Sequence, residues 1–261
     1  MANDRLRQGC NLLFAVGQAA APVITPLLGL PRVGEVSDRY PTYVVPAGYA
    51  FGIWSLIFAL SIAYAVWQAL PAQRESPLLR RVGWLTAAAF AGSMLWEFAF
   101  PAGMYGLTVV LILCTLVSLA VAVGRMAGWR TRFTGAERWL VWIASGIYLG
   151  WITVATVANV AQALTAAGVV DLGLGAETWG MVMLIAAGLI GAAVTLATRN
   201  AGYPFAVIWA LVAVFFARRD PPVVTQSDTV AYVALAAALL VAAALVTMVM
   251  RPRRPVVTGA R

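Results

Sequence analysis

Lysine and histidine do not occur in this 261-residue chain, and only 11% of its residues are charged. Without imidazole there is no histidine ligand for haem or zinc and no histidine proton shuttle. The two cysteines, Cys10 and Cys114, cannot build a metal site between them. A disulfide would have to join the start of the first apolar run to the middle of the fourth. Missing too are a nucleophile with a neighbouring base, paired carboxylates and a glycine-rich phosphate loop, so no enzymatic centre is legible. Charges this sparse cannot cover a water-soluble globule. With 62% hydrophobic residues and a mean hydropathy of +0.86, most of the surface is expected to face a lipid bilayer.

What is present is a series of long apolar runs. A span needs roughly twenty apolar residues, and eight candidates lie at about 9–29, 45–70, 83–100, 104–125, 138–164, 178–198, 202–217 and 229–250. The expected fold class is therefore all-α: a polytopic transmembrane helix bundle of about eight helices. The polar, basic N-terminus resembles a signal peptide, but the run after it is long, contains Pro22 and Pro26, and lacks a small-residue cleavage site. An uncleaved first helix is expected.

The net charge of +8 would point to nucleic acid in a soluble protein. Here all eighteen cations are arginines in short loops, where their first role is membrane orientation, and no nucleic-acid partner is expected. If both termini are cytoplasmic, fourteen arginines fall inside and only Arg32, Arg39, Arg218 and Arg219 fall outside, which obeys the positive-inside rule. Residues 251–261 then form a basic cytoplasmic tail near anionic lipid. Arginine-only, alanine-rich usage is that of a GC-rich bacterial genome, hence an inner-membrane location. The longest outside connection, about 31–46, holds Arg32, Glu35, Asp38 and Arg39 with Tyr40 and Tyr43. It is either a small lid over the helix ends or a solvated loop.

Three spans place aromatic and polar groups on single helical faces. Phe51, Trp54, Phe58 and Ser61 recur at helical spacing in the second, and Phe90, Ser93, Trp96, Glu97 and Phe100 share a face of the third. In the fifth, Tyr148, Trp151, Ala155 and Asn159 stack at intervals of 3, 4 and 4. At ~1.5 Å per residue, Trp54 lies about 12 Å in from Pro46, and Trp96 and Glu97 lie about 6–8 Å from Pro101. The three stripes can therefore meet toward the outer leaflet. An aromatic pocket with a few polar groups suits a flat hydrophobic ligand. Helix packing and interfacial belts are the competing explanation for the tryptophans, and Trp67, Trp84, Trp139 and Trp142 read as belt residues. Glu97 is the one acidic residue well inside a span, either a ligand-site group or a carboxyl reaching water. Asn159 either meets a ligand or ties two helices together.

At these residues a resemblance is visible. PAGYAFGIWSLIFALSIAYAVW (Pro46 to Trp67), LWEFAFPAGMYGL (Leu95 to Leu107) and YLGWITVATVAN (Tyr148 to Asn159) resemble the second-helix entry, the helix three–four turn and the fifth helix of the TspO/MBR family. These are tryptophan-rich sensory proteins and translocator proteins. The resemblance covers roughly residues 10 to 165. It implies a five-helix bundle that binds porphyrins, haem-like tetrapyrroles or sterols, with sensory, regulatory or transport roles; tryptophan-assisted porphyrin breakdown has been proposed for relatives. It places Trp151, Ala155 and Asn159 along the pocket with Trp54 and Trp96 opposite. Departures are Ser93 where the family has Asn, Tyr49 where it has Trp, and no Trp just after Asn159. An aromatic-then-basic sterol motif is also missing after the fifth helix, which weighs against cholesterol.

The expected organisation is a TspO-like core at 1–165, a three-helix region at 166–250 and the tail at 251–261. In the second region AGYPFAVIWAL (Ala201 to Leu211) echoes AGYAFGIWSL (Ala47 to Leu56) in a helix of opposite direction, as an inverted repeat would. The site residues expected to hold ligand are Phe51, Trp54, Phe58, Ser93, Trp96, Glu97, Tyr148, Trp151, Ala155 and Asn159. No cofactor is required; the ligand expected is a porphyrin or haem-like molecule, with a secondary transporter of small metabolites as the alternative. Expected partners are the lipid bilayer, the small hydrophobic ligand and a second copy, since Gly188, Gly191 and Ala192 form a small-residue face that suits packing within or between chains.

Overall fold

The computed structural model describes residues 2–129, 131–171, 173–219 and 225–251. All but Arg251 of the expected basic tail lies outside them. Among the described residues there are nine α-helices and no strand. They are α1 (Ala2–Leu27), α2 (Val33–Arg39), α3 (Ile53–Ala69), α4 (Pro77–Ala99), α5 (Tyr105–Ala127), α6 (Ala144–Ala166), α7 (Ala176–Thr198), α8 (Gly202–Ala217) and α9 (Asp228–Met250). A 3₁₀ turn, Gly48–Gly52, leads into α3. Six helical segments are long and apolar enough to cross a membrane. Of the other two long helices, α8 has only 16 residues, and α4 carries Arg80, Arg81 and Glu97. The chain is a polytopic helical membrane bundle.

The helix ends follow local chemistry. Ser76 precedes Pro77 at the start of α4, and its hydroxyl accepts a hydrogen bond from the Leu79 amide. Ser227 does the same for the Val230 amide of α9 at 3.1 Å. Between α5 and α6, Glu137–Ile143 winds as a π-helix, which turns less per residue than an α-helix. Trp139 and Trp142 therefore splay apart. Trp139 is exposed, as a belt residue should be, but Trp142 is buried. Phe133 folds back to stack on it at 5.5 Å, which corrects its reading as a belt residue.

Helix α1 packs on α3 and α4, α4 on α5, and α5 on α6. These five helices form a bundle in which α3 and α6 meet mainly through aromatic side chains. Helices α7, α8 and α9 pack together and join the bundle through α8 on α6. Small residues permit that join: a Cβ on Gly150 would collide with the Tyr203 carbonyl, and one on Gly202 with the Ile143 carbonyl. Helix α6 is consequently wrapped on nearly every side and is much more deeply buried than the other five long apolar segments. Gly188 and Gly191 of α7 face Ala237 and Val241 of α9, so this small-residue face is used inside the chain.

One end of the bundle is tied by polar groups. Asp4 pairs with Arg7 at 3.1 Å and with Arg80 at 2.7 Å. Gln8 and Gln68 side chains donate to each other's backbone carbonyls at 2.6 and 3.0 Å. The Asn11 amide donates to Gly83 at 2.7 Å and accepts from Thr86 at 2.6 Å. Near the hydrocarbon such groups must find partners within the protein. At the opposite end, α2 folds across the helix ends, with Val36 and Ser37 buried. The connection at about 31–46 is a lid.

Candidate functional site

Beneath this lid lies a cavity bounded by α2, α3, α4, α5 and α6. It encloses about 660 Å³ of space not filled by atoms, part of it open to solvent, but the centre of a water molecule could range over only about 40 Å³. The shape is a slit. Its walls bring together Phe51, Trp54, Ser93, Trp96, Trp151, Ala155 and Asn159, seven of the residues expected from sequence. Among the described residues, none that lines it is ionisable.

The aromatic rings hold one another mostly edge to face, the geometry their quadrupoles favour. Trp151 meets Phe51 at 5.9 Å and Trp54 at 6.1 Å, with interplanar angles of 82° in both pairs. Trp96 stacks on Phe100 at 4.7 Å. The indole N–H of Trp96 donates to the Asn159 side-chain oxygen at 3.2 Å, and the Asn159 amide donates to Thr108 at 3.0 Å. Asn159 therefore ties α4, α5 and α6 together. By contrast, the buried Trp151 indole N–H and Ser93 hydroxyl find no hydrogen-bond partner among the described residues.

The remaining three expected residues stand behind the wall. Phe58 stacks on Trp54 at 5.2 Å. Tyr148 is buried, lies edge-on to Trp54 at 6.1 Å and donates to Gln18 of α1 at 2.9 Å. Glu97 is 2% exposed, with one carboxyl oxygen lacking a partner among the described residues, so it does not reach water as one reading allowed. None of the three lines the cavity. Their stripes were correctly placed, but each helix face is wider than the slit.

Sequence reasoning missed the lid side and the α5 side. Val33, Ser37, Val45 and Pro46 close the slit from the lid, while Ile112 and Thr115 face it from α5. Gln162 continues the α6 stripe one turn beyond Asn159, and its amide donates to the Ser37 carbonyl at 3.0 Å and hydroxyl at 2.8 Å. The spacing 151, 155, 159, 162 carried that signal. The α5 residues carried none, since no aromatic marks that face.

A family model described as TSPO-like protein matches residues 10–247 of the chain. The match runs past the expected five-helix core and includes α7, α8 and most of α9. No curated protein and no solved structure matches the chain.

Proposed function

The chain belongs to the TSPO-like protein family, and on that premise we propose that it is a membrane-embedded binding or sensory protein for a flat hydrophobic ligand of the porphyrin type. The observation that carries this reading is the slit itself: aromatic rings from α3, α4 and α6 on a charge-free, lid-covered cavity. Flat ligands gain affinity there from stacking and from burial, at about 25 cal/mol per Å² of apolar surface.

The lining residues discriminate among tetrapyrroles. None is His, Met, Cys or Tyr, so a haem iron would find no common axial ligand in the wall. A metal-free porphyrin fits that chemistry better than haem. Nor is there a lining cation to pair with propionates, and burying an unpaired carboxylate is costly. Those groups would leave by the outer mouth, where Arg32 and Arg39 bracket α2 and are exposed. The slit is too narrow for a porphyrin as it stands, so entry requires the lid or the Trp54 ring to move. The arginine bias supports cytoplasmic termini and an inner-membrane location.

Titration of the purified chain with protoporphyrin IX, followed by tryptophan quenching, tests the reading. Trp54→Ala and Trp151→Ala are each expected to weaken binding by about tenfold or more. Unchanged affinity in both variants removes the basis for the proposal.

A second reading, a proton-coupled transporter of a small metabolite, is favoured by the buried Glu97 carboxyl with its unpartnered oxygen. Proton-driven flux into proteoliposomes should then stop in Glu97→Gln; undiminished flux excludes that coupling.

A further inference from the structure

Arg218 belongs to an outside connection in the expected topology, yet it is 4% exposed, capping the C-terminus of α8, while its neighbour Arg219 is exposed and pairs with Asp228 at 3.2 Å. The Arg218 head group reaches away from its own helix to the strand-free segment that follows the lid helix. One guanidinium nitrogen donates to the Thr42 carbonyl at 3.2 Å and the Thr225 carbonyl at 3.1 Å. It also bonds the Thr225 hydroxyl. The other terminal nitrogen donates to the Val45 carbonyl at 3.2 Å. Burial pulls this guanidinium down to about 10, which still leaves it a cation at neutral pH.

The same segment has further anchors on the C-terminal helices. The Ala47 amide donates to the Ala213 carbonyl of α8 at 3.2 Å. The Trp209 indole of α8 donates to the Ala50 carbonyl at 3.0 Å and meets Tyr49 edge-on at 5.7 Å. Tyr43 sits in the notch left by Gly180 of α7. Yet Val45, Pro46 and Phe51 of this segment are walls of the slit. An irregular segment must find partners for its backbone groups, and here α8 supplies them.

We propose that Arg218 is a positioning residue for the cavity: a latch through which the C-terminal helices hold the entry segment in the wall and set how fast ligand exchanges beneath the lid. The ligand half of this inference rests on the flat-ligand reading above; the latch itself does not. A planar fork of donors suits the task, since one side chain can hold carbonyls three residues apart. When the latch is lost, the carbonyls of Thr42 and Val45 lose a charged donor and the segment opens more often. An opened wall admits ligand faster and releases it faster still.

The test compares wild type, Arg218→Gln, Arg218→Lys and Trp209→Phe as full chains in lipid nanodiscs. Stopped-flow tryptophan quenching by protoporphyrin IX reads both rates, and hydrogen–deuterium exchange reads the amides of residues 42–47, Pro46 excepted. In Arg218→Gln, dissociation should accelerate about tenfold or more. Association should accelerate by a smaller factor, and amides 42–47 should exchange faster while those of α9 do not. Arg218→Lys should fall between the two, and Trp209→Phe should move every readout the same way by less. Faster association is the distinguishing result, because a variant that merely damages the site binds more slowly.

Unchanged rates and unchanged exchange in Arg218→Gln overturn the proposal. So does slower association with exchange raised throughout the chain. If Arg218→Gln does not fold, Trp209→Phe decides by the same criteria. If protoporphyrin fails to bind wild type, the flat-ligand reading falls, and the 42–47 exchange alone decides whether the latch stands.

Discussion

Gly150→Ala is a sharp test of how the two halves of the chain are joined. A methyl group at Gly150 would lie 3.1 Å from the Ala206 Cβ and overlap the Tyr203 carbonyl oxygen by on the order of 1 Å. The obstacle is backbone at the start of α8, which cannot swing aside like a side chain. Either α8 lifts off α6 or α6 bends, and overpacking of this kind costs about 1–3 kcal/mol. For a chain of this size each kcal/mol shifts Tm by about 2–4 °C, so a fall of about 2–12 °C is expected from scanning fluorimetry in detergent. The control is Gly124→Ala on α5, where an added Cβ meets nothing within 4 Å. It should be neutral or stabilising by about 0.5–1 kcal/mol through helix propensity. Lifting α8 also withdraws Arg218 and Trp209 from the entry segment, so Gly150→Ala should speed porphyrin dissociation. If Gly150→Ala is as harmless as Gly124→Ala, the close approach of α6 and α8 is refuted.

Other expectations follow from single contacts. Asn159→Ala strands the Trp96 indole N–H and should cost about 1 kcal/mol by denaturant titration; with Trp96→Phe already in place the extra loss should shrink, and additive losses would deny the bond. Replacing Glu97 by leucine removes a buried carboxyl with an unpartnered oxygen and should raise Tm; a lower Tm would reveal a partner for that carboxyl. Asp4→Asn unpairs Arg7 and Arg80 together and should lower thermal stability more than Glu75→Gln, because Glu75 is exposed and pairs only with Arg80, at 3.7 Å; equal effects would deny Asp4 its central place.

The helical architecture was readable because hydropathy and length alone decide it. Run after run of about twenty apolar residues has no other stable outcome, and most helix ends fall within a few residues of expectation. At the starts of α1 and α4 helical turns extend beyond the apolar run, where Asp4 pairs with both Arg7 and Arg80. The second span, expected from about 45, instead enters through the 3₁₀ turn Gly48–Gly52 and becomes α3 only at Ile53. The tryptophan side of the site was likewise readable, since indole rings at helical spacing identify a shared face. What could not be read was which residues lie directly on the slit and which one layer behind. Phe58 and Trp54 share a stripe, yet one ring simply covers the other. Trp142 was misjudged because a widened turn and the returning Phe133 depend on backbone geometry that apolar periodicity does not encode. The part played by Arg218 could not be read either: nothing in its neighbours announces that carbonyls from a distant turn will converge on it.

The enclosure of α6 has a consequence for how this protein can change. Most spans can swap one aliphatic residue for another on their outer side, because acyl chains are indifferent to shape. Helix α6 has almost no such side. Each substitution there must fit the slit, the neighbouring bundle or both at once, so variation should collect on α1, α5, α7 and α9 while α6 stays nearly fixed.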